Sequence, residues 1–93
     1  MNRITEKMLQ AKVDYLNKIT GNPDAPYAKT EAGLKANIGN YHISGAYGGV
    51  CLHQMVNEGG GVRTPLQAGH VPKRELFDGL CAFIKGIEIG KTS

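Results

Sequence analysis

A chain of 93 residues makes one domain, and with 41% apolar and 20% charged residues it has the composition of a folded globule, not of a disordered segment. A formal charge of +3 favours small anionic ligands but falls short of an electrostatic commitment to duplex nucleic acid. Two unclustered cysteines, no apolar signal segment at the N-terminus and no bilayer-length apolar run set the expectation of a reducing intracellular compartment, with no membrane partner.

In chain order, residues 1–20 are expected to form a helix. Met8, Leu9, Val13, Leu16 and Ile19 recur at spacings of three and four, while Lys7, Gln10, Asp14, Asn17 and Lys18 fill the other side. Gly21 and Pro23 stop it. The apolar stripe is expected to pack on a sheet or on a second copy. A domain this small, lacking tryptophan, often gains stability by associating, so a homo-oligomer is expected. Residues 21–39 show no sustained period and are expected to form a long connection, ordered at best by Tyr27 and Leu34 docking on the core.

From Asn40 the period becomes two. A Gly48–Gly49 turn pairs Tyr47 with Val50, Gly45 with Leu52, Ile43 with Gln54 and Tyr41 with Val56 on a core face. The opposite, wetter face then carries His42, Ser44, Ala46, Cys51, His53 and Met55. A turn at Ser44–Gly45 is the alternative, and it exchanges the two faces. Asn57–Gly61 reads as a second turn, and Val62–Leu66 as a short edge strand, since Pro65 cannot donate to a central ladder. Pro72 opens a helix over 72–89, with Leu76, Leu80, Phe83, Ile84 and Ile87 on one stripe and Gly90 as its stop. Gly79 and Gly86 within it suggest close approach of a neighbour. The fold class is α+β: an N-terminal helix, a long loop, an antiparallel hairpin or three-stranded sheet, and a C-terminal amphipathic helix.

The histidines and cysteines show no metal-ligand spacing, and no motif asks for a cofactor. Cys51 with His53 or His42 is the only nucleophile and base to be drawn, and a half-buried cysteine is more often an apolar filler. No enzyme is expected. Anion binding has more support. The sixteen residues between Glu58 and Glu75 contain no acid, three permanent positive charges (Arg63, Lys73, Arg74) and His70. Gly59, Gly60 and Gly61 offer backbone N–H groups for a concave anion site, and the last helix offers the positive end of its dipole. Neither a P-loop nor a Rossmann fingerprint is present.

The stretches GNYHISGAYGGVCLHQMVNEGGGV and GHVPKRELFDGLCAFIKGIE resemble a group of small proteins encoded by tailed bacteriophages and prophages. The resemblance runs from about Gly21 to Glu88 and rests on Tyr47-Gly48-Gly49, Leu52, Asn57, Gly60-Gly61-Val62 and Pro72-Lys73-Arg74-Glu75-Leu76. In size and layout the chain is also similar to phage proteins that act as oligomeric sponges for host nucleotide immune signals. That similarity implies a non-enzymatic protein of the host cytoplasm that sequesters a small anionic ligand. Arg63, Lys73 and Arg74 then meet phosphate, with His70 beside them. Gly59–Gly61 give close approach, Tyr41 or Tyr47 stacks on a base, and Asn57 reads its edge. An inhibitor of a host protein and a weak nucleic-acid-binding domain remain alternatives.

Overall fold

The structure, a computed structural model, describes residues 3–66 and 69–92, with Thr92 described by its backbone alone. Helix α1 spans Glu6–Thr20; residues 1 and 2 of the expected helix lie outside the described residues. Its start is set by Thr5, whose hydroxyl accepts the Met8 N–H at 3.2 Å. Its end is a Schellman turn, with Gly21 left-handed at φ 71° and the Gly21 and Asn22 amides donating to the Lys18 and Asn17 carbonyls.

The segment expected to be a long loop instead folds into a hairpin, β1 (Tyr27–Thr30) and β2 (Gly33–Ala36). Tyr27 and Leu34 do not dock on the core; both are exposed. The hairpin is held at its base, where Ala36 is buried and donates to the Glu58 carbonyl, the Asn37 side chain donates to Ala25, and Lys35 pairs with Glu58 at 3.2 Å.

The main sheet is antiparallel in the order β3 (Tyr41–Ala46), β4 (Gly49–Met55), β5 (Val62–Arg63). Tyr41, Ile43, Val50 and Leu52 face the helices as expected, but Tyr47 is exposed in the turn, Cys51 and Met55 of the face expected to be wetter are buried, and the turn falls one residue earlier, at Tyr47–Gly48. Both turn residues have positive φ, 53° and 73°, as a type I′ turn requires, so a tyrosine takes a position expected of glycine. Gly49 is needed for another reason. Val50 bridges to Val71, and a Cβ on Gly49 would lie 2.9 Å from the Val71 carbonyl oxygen. The shifted turn makes Tyr41 the partner of Gln54, so Val56 falls beyond the ladder and is exposed.

Helix α2 (Lys73–Thr92) starts just after Pro72, whose carbonyl accepts the Leu76 N–H, and runs through Gly90, which does not end it. Of the two glycines within it, Gly79 faces Leu66 at ordinary contact distance and Gly86 faces open space. Leu9, Val13 and Leu16 of α1 join Tyr41, Val50 and Leu52 of the sheet and Leu76, Leu80 and Ile84 of α2 in one core. The α1 stripe is therefore covered by the sheet and α2 of the same chain. Buried Asn17 ties α1 to the sheet, its amide donating to the Tyr41 carbonyl at 3.0 Å and accepting the Tyr41 N–H at 2.8 Å.

Candidate functional site

The basic residues that the sequence places near one another separate in space. Arg63 lies on β5 opposite Gln54, whose side-chain oxygen accepts its Nε–H at 2.7 Å. The chain entering α2 pairs with β4 at Val50, four residues away along the strand, or roughly 13 Å at the usual rise. Arg63 thus occupies one end of the sheet, while Lys73 and Arg74 open α2 at the other.

The glycine triplet is also turned away from any ligand. The Asn57 side-chain oxygen accepts the amides of both Gly59 and Gly61, at 3.0 and 2.9 Å, and the Gly60 amide donates to the Asn57 carbonyl. Asn57 and the three amides satisfy one another within a local turn, an Asx arrangement of known turn chemistry. The three amides of the expected anion cradle are thus engaged by Asn57, and the Asn57 side-chain oxygen is engaged by two of them.

What remains of the expected site gathers at the tip of the β3–β4 hairpin. A groove of about 350 Å³ is lined by Glu6, Gly45, Ala46, Gly48, Gly49, Val50 and Lys73. A cleft of about 230 Å³ adjoins it through Glu6, Gly45 and Val50 and extends along α1 to Leu9, Gln10 and Ile43. Three glycines leave the groove wall without side chains. Glu6 and Lys73 are the first residues of α1 and α2, so both helix N-termini reach this end of the sheet. Tyr47, between two of the lining residues, is 98% exposed, whereas Tyr41 is buried against Phe83. Of these two tyrosines, Tyr47 is the one with an exposed ring.

Behind the tip, on the sheet face away from the helices, three imidazoles form a row that sequence reading did not assemble. His42 and His53 are cross-strand partners with ring centroids 5.6 Å apart, and His70 stands 6.4 Å beyond His53 and 6.0 Å from the Tyr47 ring. His42 and His53 were placed on this face by their alternation; His70 arrives because Val71 pairs with Val50, a contact that no local pattern announces. Burial holds both His42 and His53 below the usual histidine range, and each is lowered further by the next imidazole in the row. Among the described residues the buried Nε2 of His70 meets no hydrogen-bond partner. Among the described residues no three histidine, cysteine or acidic side chains are arranged to hold an ion. Cys51, imagined as a nucleophile, is 1% exposed, its Sγ directed at the Leu52 carbonyl.

No protein-family model, no curated protein and no solved structure matches the chain. Among the described residues no helix is long and apolar enough to cross a membrane.

Proposed function

We propose that this chain is a phage-encoded, non-enzymatic protein that captures a small anionic ligand, a nucleotide signal, in the groove at the β3–β4 tip, and so acts as a sponge in the host cytoplasm. The observation that carries the reading is the meeting of Lys73 and the amino end of α2 with a glycine-walled groove of about 350 Å³. Phosphate is favoured at that end by the lysine charge and by the helix dipole. The volume lies at the small end of ligand sites, the range of a mononucleotide moiety. Glu6, also in the lining, accepts hydrogen bonds from an amino group or a sugar hydroxyl, and exposed Tyr47 supplies an aromatic face for a base.

A thermal-shift screen against a nucleotide panel tests this, since ligand at one hundred times its dissociation constant adds about 2.7 kcal/mol to the folded state. A true capture protein returns its ligand chemically unchanged after heat denaturation. Lys73→Glu is expected to abolish the shift, and Arg63→Glu, at the far end of the sheet, to leave it. The reading fails if no nucleotide gives a shift, or if Arg63→Glu removes binding while Lys73→Glu keeps it.

A further inference from the structure

Along the chain His42 and His53 stand eleven residues apart, a spacing that matches no metal motif. Strand pairing brings them together. They are direct partners across the β3–β4 ladder, both half-buried on the sheet face away from the helices, with ring centroids 5.6 Å apart.

Asn40 fixes which nitrogen of His42 is free. Its side chain is fully buried, and its Nδ2 donates to the Pro23 carbonyl at 2.8 Å. A carbonyl can only accept, so the amide has one orientation, and the atom facing His42 is the oxygen. That oxygen lies 3.1 Å from His42 Nδ1. Nδ1 therefore carries the proton and donates it, and in the neutral ring Nε2 is left with an unshared lone pair. A histidine that ligates a metal is usually prepared in this way, with its other ring N–H given to an acceptor that sets tautomer and orientation. Among the described residues no hydrogen bond fixes the His53 ring, which meets its neighbours edge to face. An ion bound at about 2.0–2.1 Å by two imidazoles holds their centroids about 5 Å apart at a tetrahedral angle and about 6 Å apart at a wider one. The observed 5.6 Å falls in that range, so turning the rings is enough and the strands need not move.

We propose that His42 and His53 form a two-imidazole site for a first-row divalent ion that favours imidazole, zinc, copper or nickel, with water in the remaining positions. The ion clips β3 to β4 through His42 Nε2 and a ring nitrogen of His53. His70 is not a ligand, in keeping with the absence, among the described residues, of any three-residue cluster able to hold an ion. The site is separate from the groove at the hairpin tip: four residues of β3 lie between His42 and Ala46, roughly 13 Å at the usual rise. The proposal does not depend on nucleotide capture.

Zinc chloride titrated into the full chain, carrying no affinity tag, tests it at pH 7.5, above the usual histidine value, where the rings are neutral. One ion per chain is expected, with micromolar affinity. The NMR signals of the imidazole nitrogens are expected to show Nδ1–H at His42 before zinc is added and coordination through its Nε2 afterwards. The melting temperature is expected to rise with zinc, as for any ligand held by the folded state alone. His42→Gln and His53→Gln are each expected to weaken binding about ten-fold or more, and His70→Gln about two-fold or less. An absence of binding at millimolar zinc overturns the proposal, as does binding that survives both the His42 and the His53 variants. So does zinc binding that leaves the His42 and His53 ring nitrogens of the unmodified protein unshifted; that result stands whether or not the variants fold.

Discussion

Hairpins β1–β2 and β3–β4 are both antiparallel and both close with two-residue turns, at Glu31–Ala32 and Tyr47–Gly48. Beyond that plan they share little. β3–β4 carries Tyr41, Val50 and Leu52 into the core beneath two helices, and its buried side chains fix its register. β1–β2 buries one side chain, Ala36, and is held at its base by an Asn37 side chain, one ion pair and a few backbone bonds. An isolated two-stranded hairpin is marginal in water, so the arm depends on its anchors, whereas β3–β4 is the platform that the domain is built on.

The contrast should be plainest in large-to-small substitutions. Leu52→Ala, in the centre of β4, is expected to destabilise the domain by about 2–5 kcal/mol in denaturant unfolding, the range for a buried leucine. Leu34→Ala in the arm, at a side chain 74% exposed, is expected to fall within about 0.5 kcal/mol of the unmodified protein. Comparable losses at the two positions would mean that the arm is packed against something, and the comparison would collapse.

Asn17→Leu is the next strongest test, because it removes both partners of the Tyr41 backbone at once. Each group left unpaired is expected to lose about 1–3 kcal/mol, read from the same unfolding curves. A near-neutral result would show that water reaches Tyr41 and that the edge is not held by this side chain.

These positions also show how far the sequence could be read. Alternation from Tyr41 to Leu52 revealed the strands and their core face, because burial on one side imposes a period of two, but not that Cys51 and Met55 on the other face are buried as well. The turn was misplaced by one residue because a Gly–Gly pair has two physical causes. Gly48 supplies the positive φ; Gly49 clears the Val71 backbone; and Tyr47 takes the other positive φ unannounced. The arm was invisible because Tyr27–Thr30 and Gly33–Ala36 bury almost nothing and so carry no alternation. Gly90 resembled a stop, yet α2 continues to Thr92, and Lys91 in that last turn donates to the Ile19 carbonyl of α1. At the candidate site, Lys73 and Tyr47 were within reach of sequence reasoning. The diversion of the Gly59 and Gly61 amides to Asn57 was not, because free and satisfied amides look alike in a sequence.

Gly48→Ala separates the two causes. A Cβ there meets no neighbouring atom, so the expected loss is only that of left-handed backbone, about 1–2 kcal/mol. Gly49→Ala must displace backbone at Val71 and is expected to lose more. The reverse order would return the turn to Gly48–Gly49.

Acid should act on the platform through the histidine row. The folded values of His42 and His53 lie below the unfolded value of about 6.5, so both stabilise the fold when neutral. That contribution is complete above the unfolded value and is lost as pH falls through the lower folded values. The melting temperature is expected to be level from pH 8 to 7 and to fall below about pH 6, with the fall reduced in His53→Gln. An identical acid profile in that variant would assign the loss to carboxylates.

The central claim is that the ligand site lies at the tip of the platform and not at the glycine triplet. Amide chemical-shift mapping during titration with a nucleotide that gives a thermal shift tests it most directly. The account predicts perturbations centred on Ala46, Gly48, Gly49 and Lys73, with Gly59, Gly60, Gly61 and Arg63 unmoved. Perturbations centred on Gly59–Gly61 and Arg63, with Lys73 silent, would contradict it.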